Sequence, residues 1–360
     1  MKKVLVSLLM FLFLLLVGMM LYFKISDCGI SPFGCGDYSM DNNYNTSKIK
    51  VGSGPEDMAI DTSLGSPRII VSCDERRKGK TKKGAFYAIN PTTNEVSELI
   101  IENASMEIHP HGIDIVTIDS VTYLYAISHN QTDEKWRHPV VRFEIQGNRL
   151  LMDTDQIFEH ELMCVPNDLD VLEDGSFYAS NYIPNMNPVE STKAILGMKT
   201  GSIVHYDGKG NWQIAVKDLC YPNGIWVNKD QDHLLIANGG CREVARFKLE
   251  GKKVHTDQKE STKKYMDIPI GDNLLIDNQG VLWTAAHPCP LKFIDHVEDS
   301  ANKSPVQIFA IDPATMKTSL VFQNNGDLIN AASTAIRLNN RLYISQVFDP
   351  FILVVDGVEL

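Results

Sequence analysis

Six short segments of this 360-residue chain repeat one layout at near-constant spacing, which narrows the fold more than any other feature. They are Pro55-Glu56-Asp57, Pro110-His111-Gly112, Pro166-Asn167-Asp168, Pro222-Asn223-Gly224, Gly271-Asp272-Asn273 and Ala332-Ser333-Thr334. From Glu56 to His111, Asn167, Asn223, Asp272 and Ser333 the steps are 55, 56, 56, 49 and 61 residues. Each segment leads into an apolar run, a turn and a second apolar run. Met58-Ala59-Ile60 leads to Arg68–Ser72, and Leu169-Asp170-Val171 to Ser176–Ala179. The turns carry Gly, Asp or Asn, as in Glu173-Asp174-Gly175, which are hairpin signals. Further strand-like runs follow, giving about four strands per repeat, while long helical periodicity is nearly absent beyond the N-terminus. This pattern predicts an all-β, six-bladed β-propeller. Ile49-Lys50-Val51 is expected to pair with 351–355 and close the ring, sparing the fold an open edge.

In a propeller the innermost strands surround one channel, so equivalent positions converge on its axis. Glu56, Asn167, Asn223 and Asp272, with Asn273 beside the last, would meet there. Oxygen ligands gathered without compensation repel one another, so a hard cation such as calcium is the natural occupant. The residue after each of these alternates in direction along a regular strand. Asp57 and Asp168 would therefore serve a second, deeper ion or hydrogen-bond a neighbouring blade. The plainer alternative is that Asn, Asp and Gly merely open turns; six convergent segments argue against it. His111, His129 and His287 stand at corresponding blade positions facing one mouth of the channel, where a group titrating near neutrality is useful.

The N-terminus reads differently. Val4 to Phe23 carries no charge and follows Lys2 and Lys3. Twenty such residues span a bilayer, and no A-x-A-like cleavage site follows. The expectation is an N-terminal transmembrane signal anchor over 1–26, a linker over 27–47 and the propeller over 48–360. The propeller would lie on the extracytoplasmic side; a cleaved signal peptide is the alternative and would make the protein secreted. Sequons at Asn45, Asn103, Asn130 and Asn302 are compatible with glycosylation on that route. A net charge of −11 argues against nucleic acid as a partner. The exception is the basic run Arg76–Lys83, expected as a solvated loop, with a mobile lid or an anion-attracting rim as the alternative. Of seven cysteines, Cys28 and Cys35 could bridge within the linker, and most others sit in apolar runs that suit buried free thiols.

Together, Gly54-Pro55-Glu56-Asp57, Pro110-His111-Gly112-Ile113, Ser128-His129-Asn130, Pro166-Asn167-Asp168-Leu169, Asn223-Gly224-Ile225, Asp272-Asn273, His287-Pro288 and Ser333-Thr334 resemble the paraoxonase/arylesterase family, within the wider gluconolactonase-like six-bladed propellers. The resemblance runs from about Val51 to Phe348. It implies two calcium ions. Glu56, Asn167, Asn223, Asp272 and Asn273 match the ligands of an upper, catalytic ion. Asp57, Asp168 and the carbonyl of Ile113 match those of a structural one. It further implies His111 and His129 as a catalytic dyad and His287 and Thr334 as pocket wall. The family's mammalian disulfide between the start and end of the propeller is not expected, because no cysteine follows Cys289.

The expected function is calcium-dependent hydrolysis of a small-molecule lactone or aryl ester. The metal would polarise the carbonyl, His111 would deprotonate water, and His129 would orient it or relay the proton. Asp272 is the alternative nucleophile. Two rival readings stay open: a non-catalytic, calcium-stabilised propeller that binds a protein partner, and a sugar-lactone hydrolase of gluconolactonase type. The charged stretch Ser72–Arg77 is expected to disfavour long lipophilic substrates.

Overall fold

The computed structural model describes residues 2–27, 36–40, 44–77, 84–131 and 136–358. Beyond the N-terminal helix α1 (Lys2–Asp27) the described chain is mostly strand, arranged as an all-β, propeller-like ring. It contains four four-stranded sheets and one eight-stranded sheet, besides a two-stranded ribbon at 130–137. The eight-stranded sheet is two four-stranded units joined at their outer edges. There, Arg149–Phe158 pairs in parallel with Val96–Glu102. The innermost strands are Pro55–Asp61, Pro110–Ile118, Pro166–Val171, Pro222–Val227, Gly271–Ile276 and Ala332–Leu338. Each packs beside the next, and the last packs beside the first. They begin at the six repeated segments.

The ring closes as expected. Thr46–Lys50 pairs antiparallel with Phe351–Asp356, so one four-stranded sheet is built from both ends of the ring. A second seam lies on the axis, where the hydroxyls of Ser333, Thr334 and Ser345 all donate to the Glu56 carbonyl at 2.5–3.0 Å. Between the sheets, side chains such as Tyr125, Tyr178, Trp283 and Tyr343 are fully buried. A substantial part of the ring's stability comes from this interdigitated apolar surface.

Every inner strand breaks register at its first residues. Pro166 pairs with Asn181 but Leu169 pairs with Ala179, and matching irregularities follow Pro55, Pro110, Pro222, Gly271 and Ala332. A bulge of this kind re-aims side chains and commonly borders functional sites. Two glycines are required there by close approach. A Cβ on Gly112 would lie 2.4 Å from the Asn167 carbonyl oxygen, and one on Gly224 would lie 2.4 Å from Leu274 N.

Several expectations are corrected. Two short helices stand among the strands, α2 (Pro188–Ile195) and α3 (Pro290–Glu298). Asn187 caps α2 by accepting from Glu190 N, and each helix begins with Pro, where a missing N–H costs nothing. Cys220 and Cys241 form a disulfide, and Cys289 is also disulfide-bonded, rather than being buried thiols. The pairing of Pro222 with Asn238 brings Cys220 and Cys241 together at one hairpin end. Cys73 is a buried free thiol, whereas Cys164 is free but exposed. The expected Cys28–Cys35 bridge lies outside the described residues. Among the described residues no helix is long and apolar enough to cross a membrane.

Candidate functional site

At one end of the channel Glu56, Asn167, Asn223, Asp272 and Asn273 are all buried, each supplied by the bulged start of an inner strand. Their hydrogen bonds have a common sense. Asn273 Nδ2 donates to Glu56 Oε1 at 3.0 Å and to Thr334 Oγ1 at 2.9 Å. Asn223 Nδ2 donates to Asp272 Oδ1. The amide nitrogens of Asn223 and Asn273 are thus spent within the ring, and their oxygens remain. Glu56 Oε2, Asn167 Oδ1, Asn223 Oδ1 and Asn273 Oδ1 are buried with no hydrogen-bond partner. Buried oxygens without donors are costly. Two carboxylates and three amide oxygens suit a hard, oxygen-seeking cation such as calcium, so the upper set fits one. Among the described residues no cluster of three or more His, Cys, Asp or Glu is drawn together for a metal, so the amides are essential to that fit. Burial pushes the Glu56 carboxyl well above its usual range; Arg76 opposes this, and Asp272 and Asp57 reinforce it.

The deeper residues behave differently. Asp57 accepts from Met58 N, Ile113 N and Thr334 Oγ1, and Asp168 from Leu169 N and Ile225 N. Both reach to the next unit, as one of the two sequence alternatives had it. Ile113 meets Asp57 through its N–H, whereas the resemblance named its carbonyl as a ligand. These carboxylates leave no orphaned oxygen, so the fit that supports an ion in the upper set is not repeated here. Asp114 and Asp170, unremarked in the sequence, continue the pattern by accepting from Val171 N and Val227 N. Burial pushes Asp57 and Asp114 up to about 7, and Asp168 and Asp170 well above their usual range.

His111 and His129 lie beside the upper set. Their rings are stacked, with centroids 4.5 Å apart and planes 15° apart, and His111 Nδ1 is 3.9 Å from Glu56 Oε2. His129 Nε2 donates to the Pro166 carbonyl at 2.8 Å. His138 packs its edge against His129 and is pushed down to about 4 by burial, so it stays neutral. His287 is more than pocket wall, since its Nε2 lies 3.0 Å from Asp272 Oδ2. Thr334 lies below the cavity floor, holding Asp57 and Asn273.

Above this floor opens a cavity of about 370 Å³. Glu56, His111, His129, Asn167, Asn223, Asp272 and His287 form its polar base. Its walls are Tyr182, Ile183, Met186, Ala194, Tyr221, Ile270, Phe293, Ile294 and Val347, and α2 and α3 supply several of them. None of these walls was identified from sequence, because isolated apolar residues in loops and in helices of eight or nine residues show no readable period. Over its described part the expected charged rim is present, since Asp74, Arg76 and Arg77 line a second cavity that shares His111, His129 and Met186 with the first. Arg76 turns inward onto backbone carbonyls and His111, and Arg77 lies over the Phe348 ring and 3.5 Å from Asp349.

Residues 55–353 match the arylesterase family. The chain belongs to that family. It is 26% identical to human serum paraoxonase/lactonase 3 over 246 residues, which is 67% of this chain and 66% of that relative. The match thus spans just under two thirds of the relative's length. Among solved structures, a gluconolactonase from Xanthomonas campestris superposes with a TM-score of 0.56 at 14% identity, covering 90% of this chain and 95% of that one. The calcium-binding protein regucalcin from Agrobacterium tumefaciens gives 0.51 at 13% identity, covering 87% and 92%. At such identities the structures share the fold.

Proposed function

We propose that this arylesterase-family chain is a calcium-dependent hydrolase of lactones or esters with an apolar acyl part. The observation that carries the reading is the set of four orphaned oxygens on Glu56, Asn167, Asn223 and Asn273, the first three of which line the base of an apolar-walled cavity. Family membership and the paraoxonase/lactonase relative support the reaction class. Glu56, Asn167, Asn223, Asp272 and Asn273 would hold the ion, which when bound supplies a Lewis acid for the substrate carbonyl.

The chain's own residues account for the rest. The apolar walls take the acyl part and exclude bulk water, which strengthens every electrostatic interaction at the base. His287 donates to Asp272 Oδ2 and Asn223 donates to Oδ1, so both Asp272 oxygens are engaged. A carboxylate so held is a poor nucleophile, and this favours water over Asp272 as the attacking group. A second, deeper calcium lacks the support of orphaned oxygens, because the oxygens of Asp57 and Asp168 are each engaged by donors of the fold. The sugar-lactone alternative is less favoured, because an apolar wall offers few partners to hydroxyl groups.

The membrane anchor is a proposal that rests on the sequence of Val4–Phe23 alone. Fractionation of native material should place the chain in the membrane with this segment intact. A mature N-terminus within 24–44 would show it to be a cleaved signal. The reaction is tested by screening lactones and aryl esters with calcium-loaded and chelated protein. Hydrolysis confined to the loaded form is expected. A loaded protein that hydrolysed nothing would leave the non-catalytic propeller as the better reading.

A further inference from the structure

We propose that Arg76 is a positioning residue that fixes the tautomer of His111, so that His111 acts as a hydrogen-bond donor to the substrate and not as the base that deprotonates water. This deepens the hydrolase reading and rests on it. The Arg76 guanidinium is held at several points. Nη1 donates to the carbonyls of Gly54 at 2.5 Å and Asp74 at 2.9 Å, and Nη2 to that of Pro110 at 2.8 Å. Gly54 precedes the first repeated segment and Pro110 opens the second, while Asp74 follows the strand Arg68–Cys73, so the guanidinium is pinned where two adjacent inner strands begin. Its remaining hydrogens converge on one atom: Nε lies 3.4 Å and Nη2 3.3 Å from His111 Nδ1.

Arginine donates and never accepts, and it keeps its charge in proteins. A proton on Nδ1 would therefore meet two N–H groups of a cation head-on. The competing attraction is weaker, because Glu56 Oε2 is 3.9 Å from Nδ1, beyond hydrogen-bond reach. Nδ1 keeps its lone pair, Arg76 occupies that lone pair, and the single ring proton sits on Nε2. A neutral imidazole can receive a proton only at its lone pair. Here that lone pair is capped by a cation. His111 lines the cavity with its Nε2 buried, so a carbonyl or leaving-group oxygen must reach in to meet the Nε2–H. The stack with His129 fits this arrangement, since parallel rings place their in-plane nitrogens alongside each other rather than in line for a relay. His129 has likewise committed its Nε2–H to the Pro166 carbonyl.

The test has two arms on the full chain. In the first, ring-nitrogen NMR of ¹⁵N-histidine protein, with His111 assigned by the signals lost in His111→Gln, reads the tautomer directly. A pyridine-like Nδ1 and a protonated Nε2 at neutral pH are expected. A protonated Nδ1 would overturn the proposal, whatever the protein hydrolyses. The second arm is kinetic. Glutamine can place an amide N–H near the position of Nε2 but cannot act as a base. His111→Gln should therefore keep about a tenth or more of kcat, while His111→Ala loses about 10²-fold, the cost of one missing donor. Arg76→Met should lower kcat about tenfold in wild type and much less in the His111→Gln background, with Arg76→Lys between. Equal losses from Arg76→Met in both backgrounds would make Arg76 merely structural, and equal losses in the Gln and Ala variants would restore His111 as the base. If Arg76→Met fails to fold, the NMR arm still decides. A wild type without hydrolysis would sink the functional reading and leave the tautomer to be read.

Discussion

Asn273 Nδ2 donates to Glu56 Oε1 at 3.0 Å across 217 positions of sequence, joining the fifth inner strand to the first over the intervening sixth. The same amide donates to Thr334 Oγ1 on that sixth strand, whose single hydroxyl proton is shared between the Glu56 carbonyl and Asp57. One side chain therefore helps hold the ring together and turns its own carbonyl oxygen toward the site. Closure of the fold and assembly of the oxygen cluster are one event, which makes stability and ion binding linked quantities.

The disulfide supports the cavity directly. Cys220 and Cys241 flank Tyr221 and Gly240, both of which line it. Replacing both cysteines by serine should cost about 3 kcal/mol of unfolding free energy, from the closure entropy of a loop near twenty residues. Denaturant unfolding of the variant measures this, and kcat/KM should fall as well. Unaltered kinetics in the variant would mean that the wall stands without the staple.

The buried channel carboxylates give calcium-free protein a particular pH dependence. Asp57 and Asp114 rise from 3.8 to about 7, mainly through burial. The folded state then holds protons that the unfolded state has released, so stability falls as pH rises from about 4 to about 7. Urea midpoints in excess chelator should therefore be higher near the acid end of this window. Calcium should recover the loss at neutral pH and raise the melting temperature there. A chelated protein that gains stability as pH rises through this window would contradict the assignment.

The cavity wall predicts substrate preference. With Ile183, Met186, Phe293 and Ile294 around it, each methylene added to an acyl chain should contribute about 0.8 kcal/mol while it remains inside. That is about a fourfold rise in kcat/KM per carbon. Phe293→Ala should flatten the series. A series already flat in wild type would place the acyl group elsewhere.

Much of this was legible in the sequence because a repeat is a register. The spacing of Glu56, Asn167, Asn223 and Asp272 was enough to bring them to one axis, and Thr46–Lys50 closes the ring close to where Ile49 was expected to. Three features were not legible. The bulges that turn consecutive residues such as Asn167 and Asp168 to different tasks depend on pairing with the neighbouring strand. The helix that begins after Asn187 is only eight residues long, too few to show helical period. Arg76 looked like one charge in a basic run; only its fold-back onto Gly54, Pro110 and His111 separates it from a solvated loop.

The central claim is that the orphaned oxygens hold a calcium ion on which hydrolysis depends. The most direct measurement is the hydrolysis rate of Asn167→Ala and Asn223→Ala at saturating calcium, on the ester or lactone that wild type turns over fastest. Each substitution removes one buried ligand oxygen, and with it several kcal/mol of transition-state stabilisation supplied through the metal. Both variants should fold and lose activity, while His111→Gln keeps a measurable rate. Near wild-type rates in both Asn variants, with calcium still bound, would contradict the account.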